Sequence, residues 1–410
     1  MRFLPAMRFS HLHGPSVRRH QNPTLALALA HLDATNAQTL EWQCDVTRIA
    51  APTGHESARA AWMAERFIAI GWPAVTIDPV GNLIARRRTG ESSSVDAGAV
   101  WCCAHLDTVF TEPAPTVTQR DARLEGPGIC DNGRGLAALL AIASAIHSTD
   151  LQTPREIVLA CTVGEEGLGD LRGMKQLMAA TQRPHAVIAI DGAGDDRIVH
   201  EAVGSMRWRI SFTGNGGHSW ADVGVANPVQ AAASVATALH AIQLPREPRT
   251  TLTVTRIGGG ESINSIPRGA WLEVDARSLS ATVMAFLERT VRETVARITR
   301  NENTRQHGDA APLLSEMTPL GDRPCGALAA DSPLVRSALA VTQECGIVPH
   351  LAAASTDASV PIALGIPAIA IGAGGRGGGM HTLNEWYDDS HGVRGLHRAM
   401  QIVVQAASTR

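Results

Sequence analysis

Two glutamates, Glu165 and Glu166, stand side by side where the apolar run "EIVLACTV" gives way to the glycine-loosened "GEEGLGD". Adjacent residues on an extended chain point to opposite sides, so the two carboxylates suit two different tasks. Other apolar runs end in similar chemistry. "AVWCCAH" delivers His105 and, two residues on, Asp107; "AVIAI" delivers Asp191; a run before the last glycine-rich loop leads to His381. Asp131 stands just ahead of the Ala- and Leu-rich stretch "GRGLAALLAIASAIHS". One strand-end aspartate or histidine is ordinarily a cap or a surface residue. Five such positions at successive strand ends form a mixed nitrogen and oxygen donor set, suited to one or two zinc ions, with cobalt or manganese as substitutes.

The elements that must position these residues alternate. Residues 36 to 71 read as helical, with Ala58, Ala61, Trp62, Phe67 and Ile70 at helical spacing and Gly71 as the stop. "VTIDPVGNLIARRRT" reads as two short strands about a turn at Gly81-Asn82. Buried strands and helices then alternate, which predicts an α/β fold with a mostly parallel sheet covered on both faces. In such sheets ligands collect outside the carboxyl ends of the strands. From about residue 205 the texture becomes that of a half-exposed antiparallel sheet, in the order β-α-β-β-α-β. That order predicts an inserted two-layer α+β domain over 205–317. The parallel texture returns over 318–410, with a strand near "VPHL", so 36–204 and 318–410 would form one domain.

Composition narrows the function. The 410 residues are 44% hydrophobic and 18% charged, with a formal net charge of −3, enough for a sizeable core. Nucleic acid is not an expected partner, because phosphate neutralisation needs clustered basic residues. Lys175 is the one lysine, which disfavours Schiff-base chemistry. Seven scattered cysteines without a CxxC suit reduced thiols in a cytoplasm. No apolar run reaches the length of a membrane helix. The basic start of the chain, through residue 35, is expected to be a disordered extension or an overcalled start, with a transit peptide as the less favoured alternative.

The motifs resemble those of the M20 metallopeptidase family. "AHLDTVF", "GPGICDNGRG", "GEEG", "DG" after an apolar strand and "GGMHTLNEW" occur in the family's order over about 36–410. The resemblance implies a zinc-peptidase catalytic domain with an inserted lid and dimerisation domain, and two zinc ions per chain. It implies His105 and Asp191 on one ion, Glu166 and His381 on the other, and Asp131 shared. Asp107 would orient His105, Asp131-Asn132 would be a cis peptide, and Glu165 would be the general base toward the attacking water.

In the inserted domain, "GNGGHSW" supplies His218, which the resemblance places at the oxyanion in a partner subunit's site. That implies a homodimer. Asn264 in "GGGESINSIP" and Arg277 in "VDARS" match substrate-contacting positions; Arg277 suits a carboxylate, or else a plain ion pair with Asp275. Ser355, Thr356 and Asp357 read as structural, with Ser359 where the family often has asparagine. Cys130 reads as packing beneath the site. The implied activity is amide hydrolysis in a di- or tripeptide, from one end, by a cytoplasmic enzyme. An N-acyl amino acid deacylase is the alternative within the family. From other classes, the rivals are a non-catalytic metal- or peptide-binding protein and a thiol enzyme using Cys102 and Cys103.

Overall fold

The structure is a computed structural model and describes residues 22–87, 98–111, 115–121, 123–180, 183–307 and 310–409. The main sheet runs, edge to edge, Ala74–Ile77, Leu83–Arg86, Ile157–Thr162, Val100–His105, Ala186–Ile190, Ala368–Ile371, Arg197–Ala202 and Gly326–Ala327, with His350–Ala354 also paired to Arg197–Ala202. Its four central strands are parallel, and antiparallel partners close both sides. The strand expected near "VPHL" lies slightly later, at His350–Ala354.

The pleat divides the core in two, because successive side chains face opposite sides. Val100, Cys102 and Ala104 join a cluster with Leu136, Leu139 and Leu140 of the helix Gly133–Ser148 and with Leu396, Met400 and Val403 of the helix Gly392–Ser408. Trp101 and Cys103 face Leu171, Met174, Leu177, Val360 and Ile362 on the other side. Central strands buried on both faces explain the unbroken apolar runs.

Three boundaries differ from the sequence reading. Residues 1–21 lie outside the described residues, but the fold does not begin at 36. Pro23–Ala34 is a helix whose Ala28 and Leu32 are fully buried, started by the Asn22 side chain accepting from Thr24 and Leu25 N–H. In the helix Ser57–Ile70, Ala58 and Ala61 face outward, while Arg59, Ala60, Met63 and Phe67 are buried. Arg59 tolerates burial because its guanidinium donates to the carbonyls of Ile49 and Leu106. Strand pairing in the inserted sheet runs past residue 317. Its strands Gly204–Thr213 and Leu314–Arg323 pair from Thr213↔Leu314 to Ser205↔Arg323.

The inserted sheet is antiparallel, in the order Thr250–Gly259, Gly269–Ser278, Gly204–Thr213, Leu314–Arg323. The helices Pro228–His240 and Ala281–Arg305 cover one face, burying Trp208, Ile210, Phe212, Leu272, Val274, Leu287 and Val291. This is the expected two-layer β-α-β-β-α-β domain. A small sheet, Thr118–Arg120, Arg123–Glu125, Trp386–Asp388 and Arg376–Gly378, ties the stretch before Asp131 to the loop around His381.

Candidate metal centre

His105 is the last residue of its strand and Thr162 the last of the next, so Glu165 and Glu166 follow just beyond the same sheet edge. Asp191 follows the strand Ala186–Ile190, and Asp131 directly precedes Asn132, the N-cap of the helix Gly133–Ser148. His381 arrives in a left-handed backbone conformation, φ 63°. Parallel strands therefore deliver His105, Glu165, Glu166 and Asp191 to one edge, where a helix start adds Asp131 and a loop adds His381.

There they converge on Asp131. Its Oδ1 lies 2.9 Å from His105 Nε2, and its Oδ2 lies 3.3 Å from His381 Nε2. His381 Nε2 is also 3.0 Å from Glu166 Oε1. One donor atom each from His105, Asp131 and Glu166 lie within 4.8 Å of one another. Asp191 is outside that trio but close enough for its charge to be felt by it. The Asp131-Asn132 peptide is cis.

The imidazoles and carboxylates of the cluster shift one another's proton affinities. Burial opposes protonation of His105, yet the Asp131 hydrogen bond and the Asp131, Glu165 and Asp107 charges hold its imidazole well above the usual range. His381 is raised to about 10 by its hydrogen bonds to Asp131 and Glu166. Burial pushes Asp131 up, but the two imidazoles outweigh it and hold the carboxyl well below its ordinary value. Burial and the Asp131 charge push Asp191 up to about 6. Two imidazoles that can release protons, set among three carboxylates, are a donor set that fits divalent cations of the zinc class.

Glu165 is 5% exposed and takes no part in the trio. Burial raises its carboxyl well above the ordinary range, against the pull of His105 and Arg323. The Arg323 guanidinium stands 3.5 Å from its Oε1 and donates to its carbonyl oxygen.

Asp107 is placed differently from the expectation. It meets the His105 ring through its backbone carbonyl, 3.0 Å from Nδ1, while its carboxylate is 3.7 Å away. The carboxylate oxygens instead accept the N–H of Glu165 and of Glu166, each at 2.9 Å, and the Thr53 hydroxyl at 2.8 Å. A buried carboxylate binds the donors that ring it, and here those are backbone amides.

The inserted-domain residues are elsewhere in the single chain. His218 and Asn264 are exposed neighbours at a two-residue ribbon, Gly217–His218 against Ser265–Ile266. His218 Nδ1 accepts from Trp220 and Ala221 N–H, and the Asn264 carbonyl accepts from Ser219. Arg277 is exposed and bonded to Asp275 at 2.7 Å. It lines a cavity of about 320 Å³ whose other wall includes Gly167 and Leu168, directly after Glu166. A second cavity, about 470 Å³, opens beside the cluster and is lined by Cys130, Ala193 and Met380, chain neighbours of Asp131, Asp191 and His381.

Sequence reasoning gave no role to several residues that hold this site together. Arg323 is one. Glu385 is another: it is fully buried and accepts three backbone N–H groups of the Asp131 loop. Glu56 accepts the Gly164 N–H at 3.1 Å and pairs with Arg172 at 2.7 Å. Asn132 ties three elements, accepting from Gly135 and Gly192 and donating to Ile190. Of these, Glu385 and Asn132 lie inside quoted motifs; Arg323 carries no sequence signal.

Comparison with known proteins agrees with this geometry. The model of peptidase family M20/M25/M40 matches residues 101–408. A tripeptidase from Staphylococcus aureus superposes with a TM-score of 0.73 at 20% identity, covering 90% of this chain and 98% of that one. The dipeptidase Dug1p of Saccharomyces cerevisiae does so with 0.69 at 16%, covering 94% and 99%. YXEP of Bacillus subtilis, described as a dinuclear metal-binding peptidase, gives 0.64 at 14%, covering 92% and 100%. At these identities the likeness is one of fold.

Proposed function

The chain belongs to the peptidase family M20/M25/M40 and is a hydrolase of that family; on this premise we propose that it is a two-metal exopeptidase, cleaving an amide bond in a di- or tripeptide. The observation that carries the reading is Asp131, which offers one carboxylate oxygen to His105 and the other to His381. Such a carboxylate is suited to be shared by two cations. His105 and Asp191 would hold one and Glu166 and His381 the other. Zinc is the preferred ion, with cobalt or manganese able to replace it.

When bound, the ions supply Lewis-acid activation of water and of the scissile carbonyl. The remaining steps belong to the chain. Glu165 takes the proton of the attacking water on its carboxylate and delivers it to the leaving nitrogen. Burial raises its proton affinity, which strengthens it as a base for that task. Arg323 and the Asp107 clamp keep it aimed. Arg277, on the cavity that Gly167 and Leu168 also line, would receive a substrate carboxylate.

His218 of one subunit would serve the site of its partner in a homodimer formed through the inserted domain. The strongly exposed Trp220, Val223 and Ile263 around it favour coverage by a second copy. No helix among the described residues is long and apolar enough to cross a membrane, and a cytoplasmic enzyme is proposed.

The test is a cleavage panel of dipeptides, tripeptides and N-acyl amino acids, run with zinc-loaded protein whose metal content is measured by elemental analysis. Two ions per chain with peptide turnover supports the reading. Turnover of N-acyl amino acids alone would move it to the deacylase alternative, and a chain that takes up no metal would overturn it.

A further inference from the structure

Glu385 is a buried carboxylate that the mechanism above does not use. Its Oε1 accepts the N–H groups of Cys130 and Asp131, and its Oε2 accepts that of Gly128, all at 2.8 Å. Its own carbonyl accepts the N–H of Gly126 at 2.9 Å. It lies four positions after His381. Next to it the strands zip together, with Trp386 opposite Glu125 and Tyr387 opposite Leu124. One side chain therefore fastens the turn that presents Asp131 to the loop that presents His381.

No lysine, arginine or histidine among the described residues forms an ion pair with it. Backbone N–H groups offset part of the cost of burying the carboxylate, and they must stay in register to do so. The turn is thus pinned at three amides, those of Gly128, Cys130 and Asp131.

We propose that Glu385 is a positioning residue of the metal centre, holding the Asp131 turn against the His381 loop and so setting the affinity for the ion that these two residues share. The inference rests on the two-ion reading. Outer partners of this kind change metal affinity by about 10–100-fold.

The test compares wild type with Glu385→Gln and Glu385→Asp. The glutamine keeps one acceptor but turns an NH₂ toward at least one backbone N–H. The aspartate keeps the charge but withdraws it by one methylene. Zinc dissociation constants are read by chelator competition, and melting of the metal-free proteins is followed beside them. One of the two constants is expected to rise about 10–100-fold in both variants, with kcat recovering to within a few-fold of wild type at saturating zinc. Variants that fold, bind two zinc ions and keep wild-type constants would overturn the inference while leaving the two-ion reading intact. Wild type that binds no zinc fails that reading and this one together. Should neither variant fold, hydrogen exchange on metal-free wild type decides. Protected Gly128, Cys130 and Asp131 amides support a preset turn, and exchange as fast as in open loops refutes it.

Discussion

The carboxylate of Asp107 holds the backbone N–H of Glu166 at 2.9 Å, and its other oxygen holds that of Glu165 at the same distance. The two glutamates are thus aimed by one buried anion that touches neither of their side chains. Removing it in Asp107→Ala leaves buried N–H groups without acceptors, at about 1–3 kcal/mol each. It also frees the two carboxylates to shift, and a displacement near 1 Å costs roughly 100-fold in rate. We expect a lower denaturation midpoint together with a fall of that order in kcat/KM. A variant with wild-type kcat/KM would show that the clamp is not needed for aim.

Glu165 and Glu166 differ in their partners, so their substitution should separate two losses. Glu166 is hydrogen-bonded to His381 and belongs to the metal-ligand trio. Glu165 faces Arg323 instead. Glu165→Gln should keep two ions per chain and lose roughly 100- to 10,000-fold in kcat. Glu166→Gln should lose metal, and regain some activity when zinc is added in excess. Equal metal loss in both variants, measured by elemental analysis, would contradict the division of labour.

Much of this site was legible because chemistry sits at places the sequence marks. His105, Glu165, Glu166 and Asp191 follow apolar β-branched runs, and Asp131 precedes a glycine-opened helix. Those local patterns carry over to three dimensions because parallel strands align their carboxyl ends. Glu385 and Arg323 were not legible as site residues. Their partners are backbone groups 254 and 158 residues away, and a backbone amide has no side-chain letter to read. The helix Pro23–Ala34 was missed although Asn22 and Pro23 mark its start, because "TLALALAHL" shows no polar face from which to infer a buried one. The place of Asp107 was legible, but which of its oxygens meets the imidazole depends on a turn geometry that spacing does not encode.

Asp357, which is not itself a proposed ligand, offers a pH test. It is buried, its Oδ2 accepts the Thr162 hydroxyl, and its Oδ1 has no hydrogen-bond partner. His105, Asp107 and Arg323 face it, and burial raises it from 3.8 to about 6. The folded chain therefore holds this proton more tightly than the unfolded one. The associated stability is complete below pH 3.8 and lost as pH rises through about 6. Asp357→Asn cannot ionise, so its stability relative to wild type should improve between pH 4 and pH 7. Urea midpoints of the metal-free proteins at both values measure this, and a difference independent of pH would refute it.

Metal and thiol chemistry are separable by inhibitors. Cys102, Cys103 and Cys161 are buried in the sheet, and burial pushes all three thiols far up. Protonated, enclosed thiols are poor nucleophiles. A chelator should abolish peptide turnover and zinc should restore it, while an alkylating agent that labels the accessible cysteines leaves turnover unchanged. Loss of activity on alkylation, with metal retained, would favour the thiol alternative.

The last prediction concerns where the second half of the site comes from. In one chain, His218 Nδ1 accepts from the Trp220 and Ala221 N–H, its backbone N–H donates to Asp222, and it sits on an exposed ribbon. If it completes the site of a partner subunit, His218→Ala and Glu165→Gln should each be nearly inactive alone. Mixed and allowed to exchange subunits, they should recover activity. In a heterodimer, one site pairs the intact Glu165 of the first variant with the intact His218 of the second, while the other site carries both lesions. Statistical exchange puts half the dimers in that form, so about a quarter of wild-type turnover should return. No recovery, despite exchange verified by native mass spectrometry, would place His218 outside the reaction or bring it to the site of its own chain by lid closure.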